Sequence, residues 1–335
     1  MKRTISLVLL VLGALANGLA AAESSSLPGG GAASVEQWLM RGHEAACQRA
    51  YVGTFVVTTG NYMSSSRIWH AGEGQQQMER VDALTGPPRS TFRHNDEVVT
   101  FLPDRRIVVQ ETREALGLFP NLLNRADAAV ARFYRLSAVG QGRVAGLEAD
   151  IVQLTPVDAL RFGYQIWSEQ KTGLVLKLQT LDGNGRILEQ AAFSELQLDA
   201  PVTMANLKAS MGNTQGYRVR TPNLVRTTVE QEGWTWSASV PGFQPLRCYK
   251  RVQGAAPAAG QLPLQCIFSD GLASVSLFVE PFDPSRHLRL VTHGQQPMGA
   301  THMRARQLGN WWLTAVGEVP PQTLTAFVQA LERKK

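Results

Sequence analysis

The chain has 335 residues, 44% of them hydrophobic and 18% charged, with a net charge of +6 at pH 7. At about 150 residues per domain this supplies two apolar cores, and it excludes a chain that is disordered over long stretches. The positive excess is mild and no Lys/Arg block is interleaved with aromatic residues, which argues against nucleic acid and leaves a solvated surface or attraction to an acidic partner or anionic lipid.

Residues 1–22 have the form of a cleaved signal peptide. Lys2 and Arg3 precede an apolar run from Ile5 to Leu15, and Ala20-Ala21-Ala22 offers a cleavage site with Glu23 as the new N-terminus. The run is about half of the roughly 20 apolar residues that cross a bilayer. A chain so exported works outside the cytoplasm, without ATP or a nicotinamide pool and in a disulfide-permissive solvent. No Cys follows the run before Cys47, so a lipoprotein anchor is not indicated. Loss of Lys2 and Arg3 from the 33 basic residues leaves 31 against 27 acidic ones.

A Ser/Gly leader, Ser24 to Gly31, comes next. Ser34 then caps a helix with Gln37 completing a capping box, and Val35, Trp38, Leu39 and Ala46 share one face. From Tyr51 the apolar period changes from 3.6 to 2. Strands are expected at Tyr51–Thr59, Ser65–His70, Gln76–Val81, Thr91–Arg93, Glu97–Leu102 and Arg106–Gln110. Leu116–Ala131 reads as two short helices split near Asn124. Strands resume at Tyr134–Val139, Gly146–Leu154, Phe162–Glu169, Leu174–Leu181 and Arg186–Leu196. Asp182-Gly183-Asn184-Gly185 is a hairpin turn. Leu174, Leu176 and Leu178 alternate with Lys177 and Gln179, which predicts a sheet with one wet and one buried side. Many antiparallel strands with few helices predict a curved sheet or open barrel covered by helices.

Ala209–Asn223, rich in Gly and Asn, reads as a linker. A second unit carries strands near Thr235–Val240, Leu246–Lys250, Leu264–Phe268, Ser274–Val279, Thr301–Gln307 and Trp311–Val316. It ends in a helix opened by Pro320-Pro321, with Leu324, Phe327, Val328 and Leu331 as its apolar stripe. The organisation expected is a signal peptide (1–22), an N-terminal unit (34–205), a linker (206–226) and a C-terminal α+β unit (227–335).

The search for chemistry is mostly negative. The six His residues form no pair at ligand spacing, so no metal site is signalled and no cofactor is expected. No nucleophile elbow is present. Gly140 to Gly146 is a Gly-rich run whose third Gly falls one position late for a dinucleotide fingerprint, and it reads as a turn. Cys248 and Cys266 each sit in a strand-like run on either side of a Gly/Ala/Pro loop. They form a disulfide or two buried thiols; Cys47 has no local partner and reads as buried packing. Trp311 and Trp312 are adjacent in a strand and point to opposite faces. One fills the core; the other meets a helix, the other unit or a partner, which makes the pair a candidate partner surface.

Several stretches together resemble one family. They are Tyr164-Gln165-Ile166-Trp167-Ser168-Glu169 followed by Thr172-Gly173-Leu174 and Leu181 to Gln190; Phe268-Ser269-Asp270-Gly271-Leu272-Ala273 leading to Glu280-Pro281; and Val316 to Thr323. With Arg143-Val144-Ala145-Gly146 and Val240-Pro241-Gly242-Phe243, their order and spacing resemble the RseB/MucB periplasmic regulators of envelope stress along nearly the whole mature chain. The resemblance implies an α+β protein with two domains. The N-terminal one is a LolA/LolB-like curved antiparallel half-barrel with helices in its concavity, and a smaller α+β domain follows. It implies no enzymatic activity. It implies binding to the periplasmic part of a single-span anti-sigma factor, shielding of that factor from site-1 proteolysis, and release by lipopolysaccharide or another acyl lipid. A homo-oligomer is compatible with it. A periplasmic lipid or lipoprotein carrier is the alternative, because the first domain alone would suit that role.

Overall fold

The computed structural model describes residues 32–74, 76–112, 119–121, 130–252, 263–287 and 298–334. The signal peptide, the Ser/Gly leader, most of the segment 116–131 and most of the loop between Cys248 and Cys266 lie outside the described residues.

Helix α1 (Ala32–Gln48) buries Val35, Leu39, Ala45 and Ala46, the stripe that its 3.6 period dictates. It begins before Ser34, so Ser34 lies inside the first turn rather than at the cap. Strands follow as β1 (Tyr51–Thr59), β2 (Tyr62–Glu73), β3 (Gln76–Ala83), β4 (Ser90–His94), β5 (Glu97–Leu102) and β6 (Ile107–Thr112). After the short α2 (Val130–Phe133) come β7 (Tyr134–Val144), β8 (Leu147–Pro156), β9 (Gly163–Glu169), β10 (Val175–Leu181) and β11 (Ile187–Leu198). Helix α3 (Met204–Gly212) and β12 (Arg218–Arg220) complete the unit.

These strands make one 12-stranded sheet among the described residues, in the order β12-β6-β5-β4-β3-β2-β1-β11-β10-β9-β8-β7. All neighbours are antiparallel except β12, which runs parallel to β6. Register shifts at Thr54/Phe55, Ala138/Gly140, Val175/Lys177 and Thr180/Leu181 increase the local twist and help the sheet curl. Alternation assigns the faces. Phe55, Ile68, Val81, Tyr164, Ile166 and Ala191 point to the concave side, where α1 packs. Ala71, Met78, Phe92, Val99 and Val108 point the other way and are covered by Leu207 and Met211 of α3. Helices therefore lie on both faces, not in the concavity alone.

Local readings differ from the sequence pattern in several places, among them the strand expected near Thr235–Val240, which is confined to Trp234–Trp236. β7 runs on through Gly140 to Val144, because a bulge at Ala138/Gly140 lets the ladder continue; the turn is confined to Ala145 and Gly146, both at positive φ. The side of β10 expected to be wet is largely covered, since Lys177 lies 4.2 Å over the Trp167 ring and Gln179 is bonded to Gln190 at 2.6 Å. Residues 206–226 are paired to both units: β12 extends the large sheet, and the next strand, β13 (Asn223–Thr227), joins the second one.

The second sheet contains β13, β15 (Gln244–Val252), β16 (Leu264–Ser269), β17 (Ser274–Pro281), β18 (His302–Leu308) and β19 (Trp311–Gly317) in the order β13-β15-β16-β17-β19-β18. The short β14 (Trp234–Trp236) pairs with β20 (Leu331–Arg333). Helix α4 (Pro321–Ala330) lays Leu324, Phe327 and Val328 on Phe243, Phe268, Leu277 and Leu313. Pro321 at its first turn costs no hydrogen bond, because that N–H would have no helical acceptor.

The two units meet through a buried polar knot. Arg161, in the loop after β8, donates from Nε to Asp270 at 2.7 Å and from Nη2 to the Pro241 carbonyl at 2.6 Å, and also pairs with Asp158. The side chains of Arg161 and Asp270 are both 0% exposed. The guanidinium stands 4.1 Å over Phe133 of the first unit and 5.1 Å over Phe243 of the second. Tyr134 donates to Asp270 at 3.2 Å, and Thr323 of α4 donates to the Leu160 carbonyl at 2.8 Å.

Candidate functional site

The concave face of the large sheet encloses a cavity of about 360 Å³. Its wall is apolar along β1, β2 and β9 to β11, with Phe55, Val57, Ile68, Ile166, Leu178 and Ala191. Phe119 closes over it, 5.5 Å from Phe55 and 5.0 Å from Phe193 between ring centres. Leu272 and Glu318 of the second unit also line it, so the cavity spans the junction between units. This size and lining suit a small apolar or amphiphilic ligand.

Polar groups gather at the two ends. On β3 and β4, Arg93 Nε forms an ion pair with Glu79 at 3.3 Å, while Arg93 Nη1 is buried with no hydrogen-bond partner among the described residues. At the junction, Glu189 accepts from Thr59 at 3.2 Å and faces Glu318. Burial raises both carboxyls above their ordinary range; Glu318, which the charge on Glu189 raises further, reaches about 7. Glu318 is nonetheless exposed to solvent, which screens part of this effect.

Cys47 sits at the end of α1 beside His43 and Asn121. Its Sγ is 3.7 Å from both His43 ring nitrogens, and Asn121 Nδ2 donates to it at 3.5 Å. The residue types resemble a thiol nucleophile set, but burial pushes the Cys47 thiol up to about 11. At neutral pH it is a thiol, which is a poor nucleophile.

Cys248 and Cys266 stand directly opposite each other in the β15–β16 ladder and are joined by a disulfide. Trp311 and Trp312 both have partners within the second unit. Trp312 is 4% exposed and stacks on His287 with ring centres 4.9 Å apart. Trp311 packs edge-on against Trp234 at 5.3 Å under Arg333. The cavity end groups Arg93, Glu189 and Glu318 were not singled out from the sequence. Each is one charge in a strand or loop, and only the sheet's closure brings the three to one cavity.

A second groove, of about 720 Å³, lies between the sheets on the side of β5 and β6. Glu97 and Gln110 line it from the first unit, and Asn223, Leu224 and Arg226 of the edge strand β13 line it from the second.

Residues 34–211 match the MucB/RseB N-terminal domain, and residues 228–332 match the MucB/RseB C-terminal domain. The chain belongs to the MucB/RseB family. It is 30% identical over 329 residues to the sigma factor AlgU regulatory protein MucB of Pseudomonas aeruginosa, across 95% of this chain and 94% of that protein. The sigma-E factor regulatory protein RseB of Escherichia coli is 23% identical over 336 residues, across 99% and 98%. The structure of the Pseudomonas aeruginosa MucA/MucB complex aligns with a TM-score of 0.66 at 25% identity, covering 90% of this chain and 99% of that one. A crystal structure of MucB in complex with MucA(peri) aligns with a TM-score of 0.65 at 26% identity, covering 89% and 98%. The named MucB and RseB relatives are regulators of sigma factors, and the match to them runs through both units of the fold.

Proposed function

We propose that this chain is a periplasmic negative regulator of an envelope-stress sigma factor that works by binding, not turnover. It holds the periplasmic segment of a single-span anti-sigma factor and shields it from site-1 proteolysis. Lipopolysaccharide or another acyl lipid relieves the restraint. The observation that carries this reading is the solved MucB complex with MucA(peri), which aligns over nine-tenths of the chain. The geometry supplies a physical route for release. An acyl chain in the concave cavity touches Leu272 and Glu318 of the second unit, so its occupancy bears on how the units meet. The groove beside β13, lined from both units, supports a seat for the partner segment there. Each buried CH₂ contributes about 0.8 kcal/mol, so even part of an acyl chain supplies several kcal/mol to bias the junction. Lipid releases the segment only if it favours the segment-free arrangement, and the coupling is reciprocal.

Protease protection tests the reading. The mature chain is added to the anti-sigma periplasmic segment with the site-1 protease, and cleavage is followed with and without lipopolysaccharide. Protection that lipid removes is expected. Cleavage at an unchanged rate when the chain is added refutes the shielding role. A chain that instead extracts lipidated cargo from vesicles and leaves cleavage unchanged is a carrier.

A further inference from the structure

The geometry points to a single-chain carboxylate amphiphile, a fatty acid, as the ligand of the concave cavity, its head held by Arg93 and its chain laid along the apolar wall toward β11. The inference rests on the reading of this cavity as an acyl site and narrows its ligand class. Three observations carry it.

The cavity of about 360 Å³ lies near the lower end of the roughly 300–1,000 Å³ range of small-molecule sites. It has room for one acyl chain. The second observation is an unmet donor. Arg93 lines the cavity with its side chain only 14% exposed. Glu79 pairs with its Nε, and its Nη1 is buried with no partner among the described residues. A buried donor left unmatched is costly, and a carboxylate is the acceptor that matches a guanidinium best. The third is polarity. Strand order places β4, with Arg93, on one wing of the sheet, and β11 and the junction several strands away. Glu189 and Glu318 stand at that far end and disfavour an anion there. Between the ends the wall is apolar, with Phe55, Val57, Ile68 and Ala191. One orientation of a fatty acid satisfies all three.

The test is titration calorimetry of the mature chain at pH 8 with dodecanoate and with dodecanol, two probes that differ only in the head. The wild type is expected to bind dodecanoate about tenfold or more tightly than dodecanol, the size of effect a charge-assisted hydrogen bond gives. Arg93→Gln brings dodecanoate down to the affinity of dodecanol and leaves dodecanol within about twofold. Should Arg93→Gln not fold, Glu79→Gln serves: it frees the guanidinium from its internal partner and tightens dodecanoate alone. Equal affinity for both probes, with Glu79→Gln changing neither, overturns the carboxylate assignment and leaves the acyl reading standing. Failure of both probes to bind overturns the assignment and the acyl reading with it.

Discussion

Replacing Arg161 by Met should cost about 3–5 kcal/mol, the usual penalty for stranding one partner of a buried ion pair. The figure follows from what Arg161 leaves behind. Asp270 is fully buried and 2.7 Å from the guanidinium. It accepts from the backbone of Leu272 and Ala273 at 3.0 and 2.8 Å and from Tyr134 at 3.2 Å, none of which brings a positive charge. Burial already raises its carboxyl, against the pull of those bonds and of Arg161. Without Arg161 the carboxylate is an uncompensated charge in a low-dielectric site, and the Pro241 carbonyl loses a donor at 2.6 Å. Arg161→Met with Asp270→Asn removes both charges and should recover a large part of the loss. Urea melts of the four proteins of this cycle, read by tryptophan fluorescence, measure the coupling. A single substitution costing less than about 1 kcal/mol, or a double mutant whose loss is the sum of the singles, refutes the view that this pair fastens the junction.

Three further outcomes are expected. Changing Cys248 and Cys266 together to Ser opens the β15–β16 cross-link and should lower stability by roughly 3 kcal/mol, read as a shift in urea midpoint; an unchanged midpoint contradicts it. Gly72→Ala should destabilise the N-terminal unit by about 2 kcal/mol or more, because an added Cβ would fall 1.9 Å from the Cys47 carbonyl oxygen at the end of α1; neutral unfolding data would refute that close approach. The raised carboxyl of Glu318 makes stability fall as pH rises. The folded state keeps a proton that the unfolded chain loses between 4.5 and about 7, so the contribution is fullest below that window and lost above it. With water screening the exposed part of the side chain, about 1 kcal/mol is expected between pH 5 and 8, and Glu318→Gln should flatten the difference. A wild type and variant with the same pH profile would contradict the assignment.

Much of the fold was written in periodicities. Tyr51–Thr59 and Glu97–Leu102 are rich in β-branched and aromatic residues between clear turn residues, and they form β1 and β5 with those bounds. The start of α4 was equally plain, because Pro320-Pro321 marks it, and Leu324, Phe327 and Val328 are buried as the spacing predicts; the helix ends at Ala330, so Leu331, expected on the same stripe, instead begins β20. What was missed had weak local signals. β12 and β13 are short and mostly exposed, and only their pairing with β6 and β15 makes them strands. α3 hides in a stretch of mixed polarity, where two buried residues, Leu207 and Met211, suffice to seat it. The cavity was the least legible part. Glu189 and Glu318 are far apart in sequence, and nothing local marks Arg93 as different from other strand arginines. Long-range strand order creates the site, and no window along the chain contains it.

The most direct measurement is the affinity of the mature chain for the labelled periplasmic segment of its anti-sigma factor, followed by fluorescence anisotropy as acyl lipid is titrated in. Tight binding that weakens progressively and saturably with lipid, matched by an equal weakening of lipid binding when the segment is present, is the expected result. A segment that is not bound, or one bound with the same affinity at every lipid concentration, would contradict the account.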